Sequence, residues 1–200
     1  MELTIDQKQR QGVIEDLPYA EAIKNDELRE QVYDAWAMSL SSSSFGRIND
    51  MACSAGPGGP ELKGRGQAAH LDGVARIGAA IARALKEEVP QFDVDLNEVI
   101  AGGLCHDLGK ASEYDPNNRE RCEADHRITG LPSLRHPLFG VHVALTAGLP
   151  EQIAHIAGTH SAEGEHIIRS LAGEIVAIAD ETFWGLLRSD LLLEEPSSDA

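Results

Sequence analysis

Basic residues are scarce in this chain: 17 Lys and Arg stand against 33 Asp and Glu, a formal net charge of -16. A protein that coats nucleic acid neutralises phosphates with clustered cations. The shortage therefore argues against a nucleic-acid partner and leaves room only for a small local basic pocket. Cysteine is scarce as well. Cys53, Cys105 and Cys122 are odd in number and form no CxxC pair, which fits a reducing compartment better than a disulfide framework or a thiolate zinc site. Long apolar runs are missing: no stretch approaches the roughly 18 residues that a bilayer crossing needs, so no membrane partner is expected. The opening MELTIDQKQRQG carries no apolar signal-peptide core, and the expected location is cytoplasmic. Neither an alternating strand pattern of convincing length nor an internal repeat is present.

What the chain has is helical period between dense Pro and Gly breaks. The 200 residues suffice for one domain with a sizeable core, or one domain with a helical extension. Leu28, Val32, Trp36 and Leu40 recur four apart, an amphipathic stripe that Asn25 or Asp26 would cap. Residues 41 to 66 are rich in Ser, Gly and Pro and read as a long loop. The helical signal returns at Gln67, with His70, Val74, Ile77, Ile81 and Leu85 on one face. Asp95 and Glu98 resemble a cap and its return partner for a helix through Val99, Ile100 and Leu104 towards Gly109. Residues 111 to 135 read as polar and irregular. His136-Pro137, Pro150 and Leu171 open three further helices. The expected fold is all-α: an N-terminal helix and loop extension over 1–66, a helical bundle over 67–190, and a disordered tail over 191–200.

The stretch GLCHDLGK at 103–110 breaks the apolar pattern with His106, Asp107 and Lys110. His70 shares a face with Val74 and Ile77, and Asp180 follows Val176 in an otherwise apolar helix. Buried carboxylates are costly unless they are paired or coordinate a metal. Each of these residues has an ordinary reading when taken singly: a core histidine with a hydrogen bond, a satisfied aspartate, a lysine answering a helix C-terminal dipole. His126, His142, His155 and His166 keep that ordinary reading. His70, His106-Asp107, His136, His160 and Asp180, by contrast, come from five helical regions in a fixed order.

That order, carried by AAHLDGVARIG, AGGLCHDLGKA, LRHPLFGVHVA, IAHIAGTHSAEGE and EIVAIADE, resembles the HD-domain superfamily of metal-dependent phosphohydrolases over residues 67 to 187. The resemblance implies an HD helical bundle in which His70, His106, Asp107 and Asp180 hold one cation and Asp107, His136 and His160 a second. Many two-metal members carry a second histidine after the position of His160; here it is Ser161, which speaks against a trinuclear or cyclic-dinucleotide site. Two divalent transition-metal ions are expected, Fe or Mn first, with Zn, Co and Ni compatible with the same imidazole and carboxylate donors. Asp107 would bridge the cations, and Lys110 would act at the reacting phosphate.

The implied activity is hydrolysis of a small phosphorylated substrate by a metal-activated water, with Lys110, Arg135 and Trp184 touching the anionic substrate. Arg119, Arg121 and Arg127 sit among cancelling acids and read as solvated. A di-iron oxygenase acting on a small hydroxylated substrate would use the same six ligands, and a metal-free signalling or scaffold module is the third reading. Trp36, Phe45 and Arg47 are expected to close over the pocket as part of a lid. Apolar stripes on the N-terminal helix would serve a homodimer or the chain's own core.

Overall fold

The computed structural model describes residues 3–190 and 192–194, and they are mostly helical. The chain opens with α1 (Gln7–Asp16) and α2 (Asp26–Ser41), then enters a short β-hairpin, β1 (Ala52–Ser54) and β2 (Glu61–Gly66). The bundle follows: α3 (Gln67–Glu88), α4 (Leu96–Cys105), α5 (Lys110–Tyr114), α6 (Pro116–Ala124), α7 (His126–Thr129), α8 (His136–Thr146), α9 (Glu151–Thr159) and α10 (Leu171–Ser189). A final strand, β3 (Leu193–Glu194), pairs antiparallel with β2, so the sheet order is β1-β2-β3. Among the described residues no helix is long and apolar enough to cross a membrane.

Local chemistry accounts for the helix starts. Asn25 caps α2 by accepting from the Leu28 amide, and Asp95 caps α4 through the Asn97 amide. The stripe Leu28, Val32, Trp36 and Leu40 is buried as its spacing predicts. On α3 the buried face is rotated from the expected one. Leu71, Ala75, Gly78 and Ala79 join His70 and Val74 inside, whereas Leu85 is 40% exposed. The reason is that α3 has neighbours on two sides. A Cβ at Gly78 would stand 3.2 Å from Val99 and 3.5 Å from Ile175, and one at Gly103 would stand 2.7 Å from the Cα of Ala75. Small residues let α4 and α10 approach, and the inward face follows them.

Two segments depart from the sequence reading. Residues 41–66 hold β1 and β2 rather than a structureless loop. Both strands are short, and between them lie Gly56, Gly58, Gly59, Pro57 and Pro60, so no alternating pattern betrayed them. Residues 111–135 hold α5 to α7. α6 has Pro116 at its first turn and Asp115 as its cap, but it buries only Cys122, which left no apolar period to read. The expected disordered tail falls mostly on residues outside the described ones, although Leu193 and Glu194 are in β3.

The N-terminal helices share the core of the bundle. Val13, Leu17 and Trp36 belong to the same apolar cluster as Leu71, Leu104, Ile153 and Val176. The Trp36 indole N–H donates to the carbonyl of Leu104 at 2.8 Å, and Ser39 Oγ donates to the carbonyl of Leu108. α2 thus braces the helix and turn that present His106 and Asp107.

Candidate metal centre

Five helical regions deliver ionisable groups to one buried point. α3 contributes His70 from its first turn. The end of α4 contributes His106 and Asp107, the start of α8 contributes His136, the end of α9 contributes His160, and the middle of α10 contributes Asp180. His70, His106, Asp107, His136 and His160 are all buried. The histidines meet in pairs through their Nε2 atoms: His70 and His106 at 3.0 Å, His136 and His160 at 3.3 Å.

Asp107 stands between the pairs. Its Oδ2 lies 3.3 Å from His70 Nε2 and 3.2 Å from His106 Nε2; its Oδ1 lies 3.4 Å from His136 Nε2 and 3.6 Å from His160 Nε2. Asp180 Oδ1 is 3.2 Å from His70 Nε2, yet it is buried and makes no hydrogen bond.

The protons on the rings can be assigned from their partners. His106 Nδ1 faces the carbonyl of Gly103 at 2.8 Å, His160 Nδ1 faces the carbonyl of Ala157 at 3.0 Å, and His136 Nδ1 faces the carboxylate of Glu113. Each acceptor requires the hydrogen on Nδ1 and leaves a lone pair on Nε2. Burial lowers the basicity of His136 despite the Glu113 carboxylate, consistent with a neutral ring. Three imidazole lone pairs therefore face the Asp107 carboxylate with no proton of their own to join them to it. That arrangement is repulsive unless a cation lies among them, and it is the donor set that borderline transition metals take. His70, His106 and Asp180 form one group that could hold an ion, and His106, Asp107 and His160 another.

Asp107 is itself braced. Gln67 Nε2 donates to its Oδ2 at 2.8 Å, and Lys110 Nζ reaches the same oxygen at 2.9 Å. Burial opposes the charge of Asp107, while the Lys110 ammonium at 2.9 Å favours it, and the carboxyl is held well below the usual range. Lys110 also donates to the carbonyl of Ser54 at 3.1 Å, next to Tyr114 Oη, which donates to the same carbonyl. The ammonium is retained against its burial by the Asp107 charge, which raises its pKa.

A family model for the HD domain matches residues 68–184. The chain belongs to the HD-domain family. The family is one of metal-dependent, phosphohydrolase-like enzymes, and membership implies binding of divalent metal, with which the buried His and Asp groups are compatible. The comparisons with curated proteins and with solved structures find no match. In this HD-domain protein, the six residues expected as ligands lie together, four histidines around Asp107 and Asp180 beside His70.

The remaining expected residues lie elsewhere or act differently. Arg135 is half-exposed at the N-terminus of α8, and its charge is already answered by Glu163 at 3.0 Å. Trp184 is buried, with its ring centroid 4.8 Å from that of His70; it is a wall behind a candidate ligand rather than an open stacking face. The residues expected to form a lid are engaged elsewhere in the fold. Trp36 is a core residue, and Arg47 is tied to Asp16 at 2.7 Å and Glu15 at 2.9 Å. Phe45 packs against the core. What reaches the site from this segment is the Ser54 carbonyl on Lys110. Among the ordinary histidines, His126, His142 and His166 are exposed and His155 accepts from the Ser170 amide.

Sequence reasoning missed Gln67 and Glu113. Gln67 precedes His70 by one helical turn and so shares its face. Glu113 stands one turn after Lys110, but it was counted among charges that cancel nearby arginines. A cleft of about 340 Å³ opens beside the centre, lined by His160, Ser161, Arg169, Glu174, Asp180 and Glu181. A larger cavity of about 650 Å³ lies against α1, lined by Asp6, Gln9, Gly12 and Arg47, and holds none of the clustered groups.

Proposed function

We propose that this protein is a phosphohydrolase acting on a small phosphorylated molecule, a phosphomonoester, phosphodiester or nucleotide, with two transition-metal ions of which Fe and Mn suit the donors best. The observation that carries the reading is the placing of Asp107, one oxygen toward His70 and His106 and the other toward His136 and His160. A carboxylate so divided is suited to join two cations. In this reading His70, His106, Asp107 and Asp180 hold one, and Asp107, His136 and His160 the other. Bound there, such a pair supplies Lewis acidity toward a phosphoryl oxygen and makes a water a nucleophile at neutral pH.

The chain's own groups do the rest. The inward Nε2 atoms are donors to metal, so none of the four imidazoles also serves as a proton acceptor. Lys110 commits N–H groups to Asp107 and Ser54; an ammonium has three, and the remaining one is given to a phosphoryl oxygen. Phe183 and Trp184 lie against the His70 ring and keep water from that side. Access is through the cleft beside His160, whose rim carries Glu165, Glu174 and Glu181. That acidity disfavours large polyanions and favours a substrate with a single phosphoryl group.

The test is release of phosphate from a panel of small phosphate esters by protein purified and loaded with Mn(II) or Fe(II) without oxygen. Turnover without oxygen, lost in His106→Ala and Asp107→Ala, is the expected result. Strict dependence on oxygen would transfer the same ligand set to the di-iron oxygenase reading, and failure to take up any transition metal would leave the scaffold.

A further inference from the structure

Resting on the two-cation reading above, we propose that Glu113 is the positioning residue of the His136–His160 half of the centre and determines whether the second cation binds. Three of the four inward histidines have an acceptor on Nδ1, but only two of those acceptors are backbone carbonyls, Gly103 for His106 and Ala157 for His160. His136 alone is oriented by a side chain. Glu113 Oε2 accepts from His136 Nδ1 and, at 3.0 Å, from the His136 backbone amide. One oxygen thereby fixes both the tautomer of the ring and the place where α8 begins. Glu113 is itself buried beside the ring that it orients. A carboxylate kept ionised behind an imidazole raises the ligand strength of the opposite nitrogen.

The half that Glu113 serves is the poorer in charge. The His70–His106 half has Asp180 in addition to Asp107 Oδ2, whereas the His136–His160 half has Asp107 Oδ1 as its sole carboxylate oxygen among the described residues. Glu113 supplies the missing negative charge from behind the ring. The first half is accordingly the tighter, and the second fills afterwards, with Glu113 holding His136 in place.

The measurement is calorimetric titration of the metal-stripped full-length protein with Mn(II) alone, checked by metal content after gel filtration. The wild type should show two binding events. Glu113→Ala should weaken only the weaker event, by about 100-fold, and retain about one ion per chain. Glu113→Gln keeps an oxygen that can accept both bonds and loses only the charge, so it should weaken the same event by about tenfold and remain folded if the alanine variant does not. In the wild type the paired ions should give a spin-coupled Mn(II) resonance, and in Glu113→Ala an isolated one; a merely structural role at the start of α8 would not separate the two. Two unaltered events in Glu113→Gln, or equal weakening of both, would overturn the assignment of Glu113. A wild type that binds no Mn(II) would instead overturn the two-cation reading itself.

Discussion

The two halves of the centre are built by different means. His70, His106 and Asp180 stand on α3, α4 and α10, which pack directly on one another through small residues. Gly103 lies against the Ala75 backbone, and Gly78 is enclosed by Val99, Ile175 and Ala179. Their positions are a consequence of core packing. His136 and His160 stand at the ends of α8 and α9, where the chain turns, and their rings are set by hydrogen bonds to Glu113 and Ala157. Gly109 makes a close backbone approach here: a Cβ on it would stand 2.0 Å from the His136 carbonyl oxygen. The first half rests mainly on the packing of long helices, and the second depends more on contacts at helix ends, among them the side chain of Glu113. A variant can therefore disable one and spare the other.

Asp107 belongs to both halves, and its loss should have the largest effect. Asp107→Ala should empty the centre of both ions and bring turnover to background, as metal analysis and phosphate release would read together. Next come the glycines. Gly103→Ala forces α3 and α4 apart and should cost about 1–3 kcal/mol or more of stability, with the ion of the His70 half lost first. Gly109→Ala displaces the start of α8 and should lose the ion of the His136 half first. Denaturation curves and metal content of the two variants would measure the contrast, and loss of the same ion in both would erase it.

A smaller effect is expected from Trp36→Phe. It removes the donor to the Leu104 carbonyl and should cost about 1 kcal/mol, leaving two ions per chain because every candidate ligand is retained. A shift of midpoint in urea at unchanged metal content is the expected reading. The smallest belongs to Ser161→Ala. Ser161 Oγ donates to Glu163 at 2.7 Å on the rim of the cleft, and its removal should change neither metal content nor stability measurably.

How much of this was legible follows from the same contrast. The ligands of the first half sit in helices with a clear apolar period, so His70, Asp107 and Asp180 announced themselves as polar groups on inward faces. The histidines of the second half were placed by the HD-family order of motifs rather than by period, since α8 and α9 are short and carry these histidines at their ends. Glu113 was hidden among exposed acids because its role depends on α5 turning back onto the start of α8, a tertiary event with no local signal. The lid expected from Trp36, Phe45 and Arg47 failed for a related reason: aromatic and basic residues near a Ser-rich segment look available in sequence, but Trp36 and Phe45 pack with the core and Arg47 is tied to Asp16 and Glu15. The hairpin of β1 and β2 was lost to its glycines and prolines, although it delivers the Ser54 carbonyl to Lys110.

The most direct measurement is a crystal structure of the Mn(II)- or Fe(II)-loaded protein with anomalous scattering recorded at the metal edge. Two peaks are predicted, one bounded by His70, His106 and Asp180, the other by His136 and His160, with an oxygen of Asp107 reaching each. An absence of peaks around Asp107, with the ions bound elsewhere or not at all, would contradict the account.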